Sequence, residues 1–192
     1  MVGNISNYTK HDILRCFFSI RTNESRQNIV KNLELGEGTV RTILNFLKNK
    51  NLIISTKKGH SLTYRGLSLL SKIRTNIDIK DIKLDEYKQL KKSAILLKTN
   101  TKKKEYELRD IAIKNGAEGA FVFKYNGKRL IMPKSNDYNL DLKHLEDNFN
   151  FSKDDLLVVS FAKEKRWAEI SNLAIAMEVS SEFNNLINKL NN

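Results

Sequence analysis

Arg41 and Asn45 are the residues of this sequence whose chemistry is most directive. An arginine can donate two hydrogen bonds to a guanine edge, and an asparagine can pair bidentately with adenine. Both lie in a stretch where Val40, Ile43, Leu44 and Leu47 recur at i, i+3, i+4 and i+7. That spacing predicts a helix opening at Gly38 or Thr39 and reaching Lys50, with the four apolar residues inward. Its outward face then presents Thr39, Arg41, Thr42, Asn45 and Lys48. The two threonines suit phosphate or thymine-methyl contact. Ser25, Arg26 and Gln27 open an earlier helix, whose N-terminal dipole and side chains would meet phosphate. Lys57, Lys58 and His60 fall in a basic turn that would reach the backbone or the minor groove. These eleven residues are the candidate site, and its ligand would be double-stranded DNA.

The elements that must position them can be read along the first third of the chain. Asp12–Ile20 carries Ile13, Leu14, Phe17 and Phe18 at helical spacing, and Arg21–Glu24 breaks it with turn formers. Ser25 is a good N-cap for Arg26–Leu33, which buries Ile29, Val30 and Leu33. Glu34–Gly38 is a short turn with two glycines. Two helices joined by such a turn are a helix-turn-helix signature. Leu52–Thr56 is β-prone, Lys57–His60 turns, and Ser61–Tyr64 returns, giving a hairpin with a charged tip. Thr63 then caps a helix over Tyr64–Ile73.

Charge is distributed unevenly. The 192 residues hold 34 Lys and Arg against 22 Asp and Glu, a net charge of +12. Residues 1–76 hold 13 against 4, and residues 77–192 hold 21 against 18. A basic first module joined to a nearly balanced second one is the layout of a nucleic-acid-binding domain with a sensor or partner domain. A solvated basic face would share the composition, though not its concentration in one third of the chain.

The remaining composition bounds the setting. Cys16 is the only cysteine and lies in an apolar run, so a packing thiol in a reducing cytoplasm is expected. Three histidines and one cysteine argue against structural zinc. No run of 18 apolar residues and no basic-then-apolar leader occurs, so neither a membrane partner nor secretion is expected. No phosphate loop, HExxH, CxxC or Gly-x-Ser-x-Gly appears. Gly116–Ala120 contains two glycines, but it follows a helix and precedes a strand, the wrong order for a dinucleotide fingerprint. No cofactor, metal or catalytic residue is therefore expected, and the chain reads as a non-enzyme.

The second half gives Thr75–Asp85 as an extended connector or short strand. Strands are expected at Ser93–Lys98, Ala120–Tyr125, Lys128–Met132 and Asp155–Phe161. Helices are expected at Tyr106–Asn115, Leu140–Phe149, Arg166–Val179 and Ser181–Leu190. Asn126-Gly127 is a hairpin-turn pair and Pro133 stops the return strand. Glu105, Glu107, Arg109 and Asp110 read as a solvated helix face, and Trp167 as packing rather than pocket lining. The fold class is thus α+β: a winged helix-turn-helix domain over residues 8–76, a connector over 77–85, and a domain of β-α-β-β-α-β-α order over 86–192. The apolar stripe on the last helices is a candidate dimer surface, and a homodimer is expected.

Two resemblances add to this. Leu62-Thr63-Tyr64-Arg65-Gly66-Leu67-Ser68-Leu69-Leu70 resembles the LTxxGxxLL ending of many prokaryotic winged-helix domains. The succession ESRQNIVKNLELGEGTVRTILNFL, ELRDIAIKNGAEGAFVFKYNGKRLIMP and DDLLVVSFA resembles a group of archaeal winged-helix proteins with an uncharacterised C-terminal α+β domain. That resemblance spans about Asp12 to Val179. It implies a cytoplasmic, sequence-specific transcriptional regulator whose C-terminal domain dimerises or binds a small-molecule effector. A protein-interaction adaptor of transcription or replication machinery is the alternative from another class. A small-molecule kinase with a regulatory winged helix is a third.

Overall fold

The computed structural model describes residues 8–82, 84–99, 101–132 and 142–191. The chain forms two compact units that meet in sequence at Lys72 and Ile73.

The first unit is built from three helices, a hairpin and a closing helix. Helix α1 (Lys10–Ser19) starts in a capping box. Asp12 N donates to Thr9 Oγ1 at 3.3 Å, and Thr9 N donates to Asp12 Oδ2 at 2.9 Å. Its inner face includes Leu14, Cys16 and Phe17, all fully buried. Burial pushes the Cys16 thiol up to about 12, so it stays protonated and acts as a packing group. Arg15 Nη1 spans 3.1 Å to Asp12 Oδ1 and 3.0 Å to Leu33 O, tying α1 to the end of α2 (Arg26–Leu33). Glu34 ends α2 in the left-handed region, at φ 55°.

Helix α3 spans Glu37–Asn49, one to two residues earlier than the apolar spacing indicates. Gly36 is its N-cap, in extended backbone, and Val40 N donates to Gly36 O at 3.0 Å. The first turn thereby includes Glu37, which periodicity alone assigns to the preceding loop. Val40, Ile43, Leu44 and Leu47 are buried, as their spacing requires.

Strands β1 (Ile53–Thr56) and β2 (Gly59–Leu62) pair antiparallel, Ile53 opposite Leu62 and Thr56 opposite Gly59. The tip is therefore Lys57-Lys58 alone, and His60 is a strand residue. His60 is also bridged to Glu24, each N–H donating to the other's carbonyl at 2.8 Å. Gly59, at φ 133°, is required there, since a Cβ would lie 2.6 Å from Asn23 O. Helix α4 (Tyr64–Arg74) carries the chain out of this unit.

The second unit is a five-stranded antiparallel sheet with strand order β3-β4-β7-β5-β6. Its strands are β3 (Ile77–Lys80), β4 (Lys91–Leu97), β5 (Gly119–Tyr125), β6 (Leu130–Ile131) and β7 (Leu156–Ala162). β7 sits in the centre because its seven residues, Leu-Leu-Val-Val-Ser-Phe-Ala, are all buried. Helices α5 (Glu105–Lys114) and α7 (Lys165–Val179) pack on the sheet. Helix α6 (Leu142–Asn148) precedes β7 and α8 (Ser181–Asn191) closes the chain. Two polar ties fix the seat of α7. Asn172 Oδ1 accepts from Ser160 Oγ at 2.7 Å while its Nδ2 donates to Ser93 O at 2.9 Å. Trp167 lies over Gly116, where a Cβ would stand 2.8 Å from the indole.

The architecture is the expected α+β one, a winged helix-turn-helix followed by an α+β domain. The order β-α-β-β-α-β-α is realised from β4 to α7, with β3 ahead and α8 behind. Of the two readings of residues 75–85, the short strand is realised at residues 77–80 as the edge strand β3, because alternating Ile77 and Ile79 find partners opposite Leu97 and Ile95. Two expectations change. Asn126-Gly127 opens a four-residue connection rather than a two-residue turn, since Tyr125 pairs with Leu130. The Asn126 carboxamide closes it by accepting from Lys128 N and Arg129 N, both at 2.9 Å. The stripe on α7 is not a free surface either, since Ile170, Leu173 and Met177 are buried within the chain. The expected stop at Pro133 lies outside the described residues.

His11 carries the acid sensitivity of the first unit. It is 9% exposed, and burial lowers its pKa to about 4, helped by Lys10 and opposed by Asp12. The fold therefore holds it neutral while the unfolded chain takes a proton near pH 6.5. Stability should be lost as pH falls from 6.5 towards 4, by up to about 3 kcal/mol. Urea titrations of His11→Gln should show a flatter decline across that window than the wild type; parallel declines would dismiss His11 as the cause.

Candidate nucleic-acid interface

Within the first unit, α3 turns three long polar side chains to one exposed face. At 3.6 residues per turn, Arg41, Asn45 and Lys48 fall within about 60° of one another. All three are exposed, and so is Thr42 on the flank of that face. The Thr42 hydroxyl donates back to Gly38 O at 3.0 Å, leaving its methyl and oxygen lone pairs outward. Thr39 is different: it lies roughly 160° round the helix from Arg41 and is half-buried. It belongs to the margin of the α3 surface, beside the half-buried Phe46.

The start of α2 meets this face. Ser25 is half-buried and caps α2, its Oγ accepting from Asn28 N at 3.1 Å. Its hydroxyl is thus tied to its own helix. Arg26 and Gln27 are exposed. Arg26 reaches across to the first turn of α3, with Nη2 3.0 Å from Glu37 Oε1.

His60 joins the two helices to the hairpin. Its Nδ1 is 2.9 Å from Ser55 Oγ. Its pKa is lowered, first by burial and then by the charges of Arg26 and Lys48. The sequence placed His60 in the hairpin turn; it lies instead within β2, opposite Ser55 and one pair in from the tip, and is bridged to Glu24. Lys57 and Lys58 are exposed at the tip.

Helix α3 thus presents Arg41, Asn45 and Lys48 as one cationic and hydrogen-bonding face, and the Arg26–Glu37 pair ties the start of α2 to it. Lys57 and Lys58 stand on the wing, Gln27 beside Arg26, and Thr39 at the margin. The member that the sequence reading missed is Glu37. Its signal was present in Leu35-Gly36-Glu37: glycine makes an acceptable N-cap, and acids favour the first helical turn.

Such a surface can place donors against phosphate and against the major-groove edges of a duplex. Arg41 and Asn45 present both a fork of donors and a donor–acceptor pair. Among the described residues, no helix is long and apolar enough to cross a membrane.

The comparisons with known proteins follow the same two-part division. Residues 9–68 match the model of the PH0730-like N-terminal domain, and residues 89–179 match a domain of unknown function, DUF4443. No curated protein matches the chain. Over 94% of its length the chain is similar to the hypothetical protein PH0730 from the archaeon Pyrococcus horikoshii OT3, all of whose chain is covered, at 26% sequence identity and a TM-score of 0.76.

Proposed function

We propose that this protein is a sequence-specific DNA-binding transcriptional regulator without catalytic activity. The observation that carries the reading is the exposed face of α3 in a winged helix-turn-helix, which presents Arg41, Asn45 and Lys48 together, with Arg26 of α2 paired to Glu37 in its first turn. In this reading α3 enters the major groove, Arg41 and Asn45 meet base edges, and Arg26 and Lys48 meet phosphate. Lys57 and Lys58 follow the backbone beside it. The second unit receives a small effector or a second copy of the chain. Helix-turn-helix proteins use paired half-sites, so a homodimer on a two-fold-repeated operator is the expected assembly.

Selection from randomised duplex DNA with the full-length protein tests this reading. A defined motif should be enriched, with an affinity at least about a thousandfold above that for random duplex at the same salt. Equal, weak and steeply salt-dependent binding to every duplex would sink it.

The wing gives a narrower prediction. Lys57→Ala with Lys58→Ala should weaken binding to selected and random duplex alike. The slope of log affinity against log salt should fall by about 1–2. Both side chains are exposed, so the thermal midpoint should not move. An unchanged slope would remove the wing from the interface.

A further inference from the structure

Glu37 is an acid on a surface whose other long side chains are cationic or amide-bearing. It stands in the first turn of α3, where a carboxylate favours the helix dipole. Around the helix it lies within about 40° of Arg41 and about 20° of Lys48, on the face turned outward. Its side chain is 69% exposed and that of its partner Arg26 is 45% exposed, so the pair is held at the surface.

A carboxylate can only accept hydrogen bonds. Against a duplex it is repelled by phosphate and by the acceptor-bearing edges of guanine and thymine. The exocyclic amines of cytosine and adenine are the donors it can meet in the major groove. While Glu37 holds Arg26 at 3.0 Å, one guanidinium is also partly neutralised and kept from phosphate. Glu37 therefore penalises two kinds of contact at once: non-specific docking of the front of α3, and phosphate capture by Arg26.

We propose that Glu37 is a specificity-determining residue, which ties Arg26 down on non-cognate DNA and gives it up where a base amine faces the start of α3. This inference rests on the DNA-binding reading above. It adds a repulsive element to that reading, since a discriminating surface needs a penalty for the wrong partner as well as contacts to the right one.

Glu37→Gln is nearly isosteric, removes the charge, and leaves an exposed side chain where one already stood. Affinities of the wild type, Glu37→Gln, Arg26→Gln and the double variant should be measured for a selected and a random duplex across a salt series. Glu37→Gln should bind random duplex about threefold to tenfold more tightly, with the salt slope steeper by about 1. The selected duplex should gain less, so discrimination falls. In the Arg26→Gln background the added slope should vanish. An unchanged random-duplex affinity and slope, or equal gains on both duplexes, would overturn the role of Glu37 while leaving DNA binding standing. A wild type that enriches no motif would sink the underlying reading and this one with it.

Discussion

Replacing Arg41 with alanine is expected to lower affinity for a selected duplex by roughly tenfold to a hundredfold, the span of one good bidentate base contact. Affinity for random duplex should fall much less, because there Arg41 offers only its charge. Val40, Ile43, Leu44 and Leu47 are buried, which fixes the rotation of α3 and turns Arg41 outward. Asn45 stands one turn on, and Lys48 one turn further, so a groove reader would carry two base-directed side chains followed by a phosphate-directed one. Arg41→Lys separates the contributions. Lysine keeps the charge but loses the planar fork, so the salt slope should persist while discrimination at one base pair is lost. Affinities for the selected duplex and its single-base variants, taken at several salt concentrations, would check this. Equal losses on selected and random duplex in both variants would mean that Arg41 contacts phosphate alone.

Helical periodicity made α2 and α3 legible because both are short and carry an apolar face. Arg26–Leu33 has the same bounds in the sequence reading and in the structure. The inward set of α3 also follows directly from i, i+3, i+4, i+7 spacing. The start of α3 did not follow from periodicity, because the apolar spacing begins at Val40 and the signals before it, a glycine N-cap and a first-turn acid, are weak. His60 was assigned to the turn, whereas the strand register opposes it to Ser55 and leaves Lys57-Lys58 alone between the strands. Its further bridge to Glu24, 36 positions earlier, is non-local and has no signal near His60 in sequence. In the second unit the apolar strands were evident as runs, yet a run does not report its neighbours. That β7, the last strand in sequence, lies between β4 and β5 is a property of the whole sheet. The edge strand β3 lies in an alternating, charged stretch that reads equally as connector or short strand, and only its pairing with β4 decides between them.

The same lesson applies to the α7 stripe. Apolar residues at helical spacing say that a helix is covered, and they do not say by what. The seat of α7 on the sheet is marked by two polar contacts that periodicity ignores, Asn172 to Ser160 and Asn172 to Ser93. A buried asparagine in the middle of an apolar helix is tolerated only where its amide finds both a donor and an acceptor. That requirement adds a polar constraint on the register of α7 to the apolar one set by Ile170, Leu173 and Met177.

Gly66→Ala is expected to destabilise the first unit by about 3 kcal/mol or more, although alanine is the better helix former by about 1 kcal/mol. Gly66 is the third residue of α4 and the glycine of the LTxxGxxLL pattern. Its backbone has no unusual φ, so conformational freedom is not the reason for it. The reason is proximity: a Cβ would lie 2.2 Å from Leu52 O and 3.4 Å from a Leu62 methyl. The Leu52 carbonyl cannot retreat easily. It accepts from Thr63 N at 3.0 Å, while Leu52 N donates to Leu47 O at 3.0 Å and the side chain is buried. Thr63 is pinned in turn, its Oγ1 donating to Asn51 O at 2.7 Å and accepting from Gly66 N at 3.0 Å. Relief of the clash must therefore lift α4 away from the end of α3 and break this set of contacts together. Ser68→Ala, on the exposed side of the same helix, supplies the control: it should be neutral or slightly stabilising. Urea unfolding of the full chain, followed at a probe in the first unit, would compare the two. If Gly66→Ala matched or exceeded the wild type, α4 would not be seated on the Leu52 carbonyl, and the glycine of the motif would need another cause. If it fell as expected while Ser68→Ala did not, the motif would be explained as a joint in which a threonine cap and a missing side chain let the closing helix touch the turn after α3.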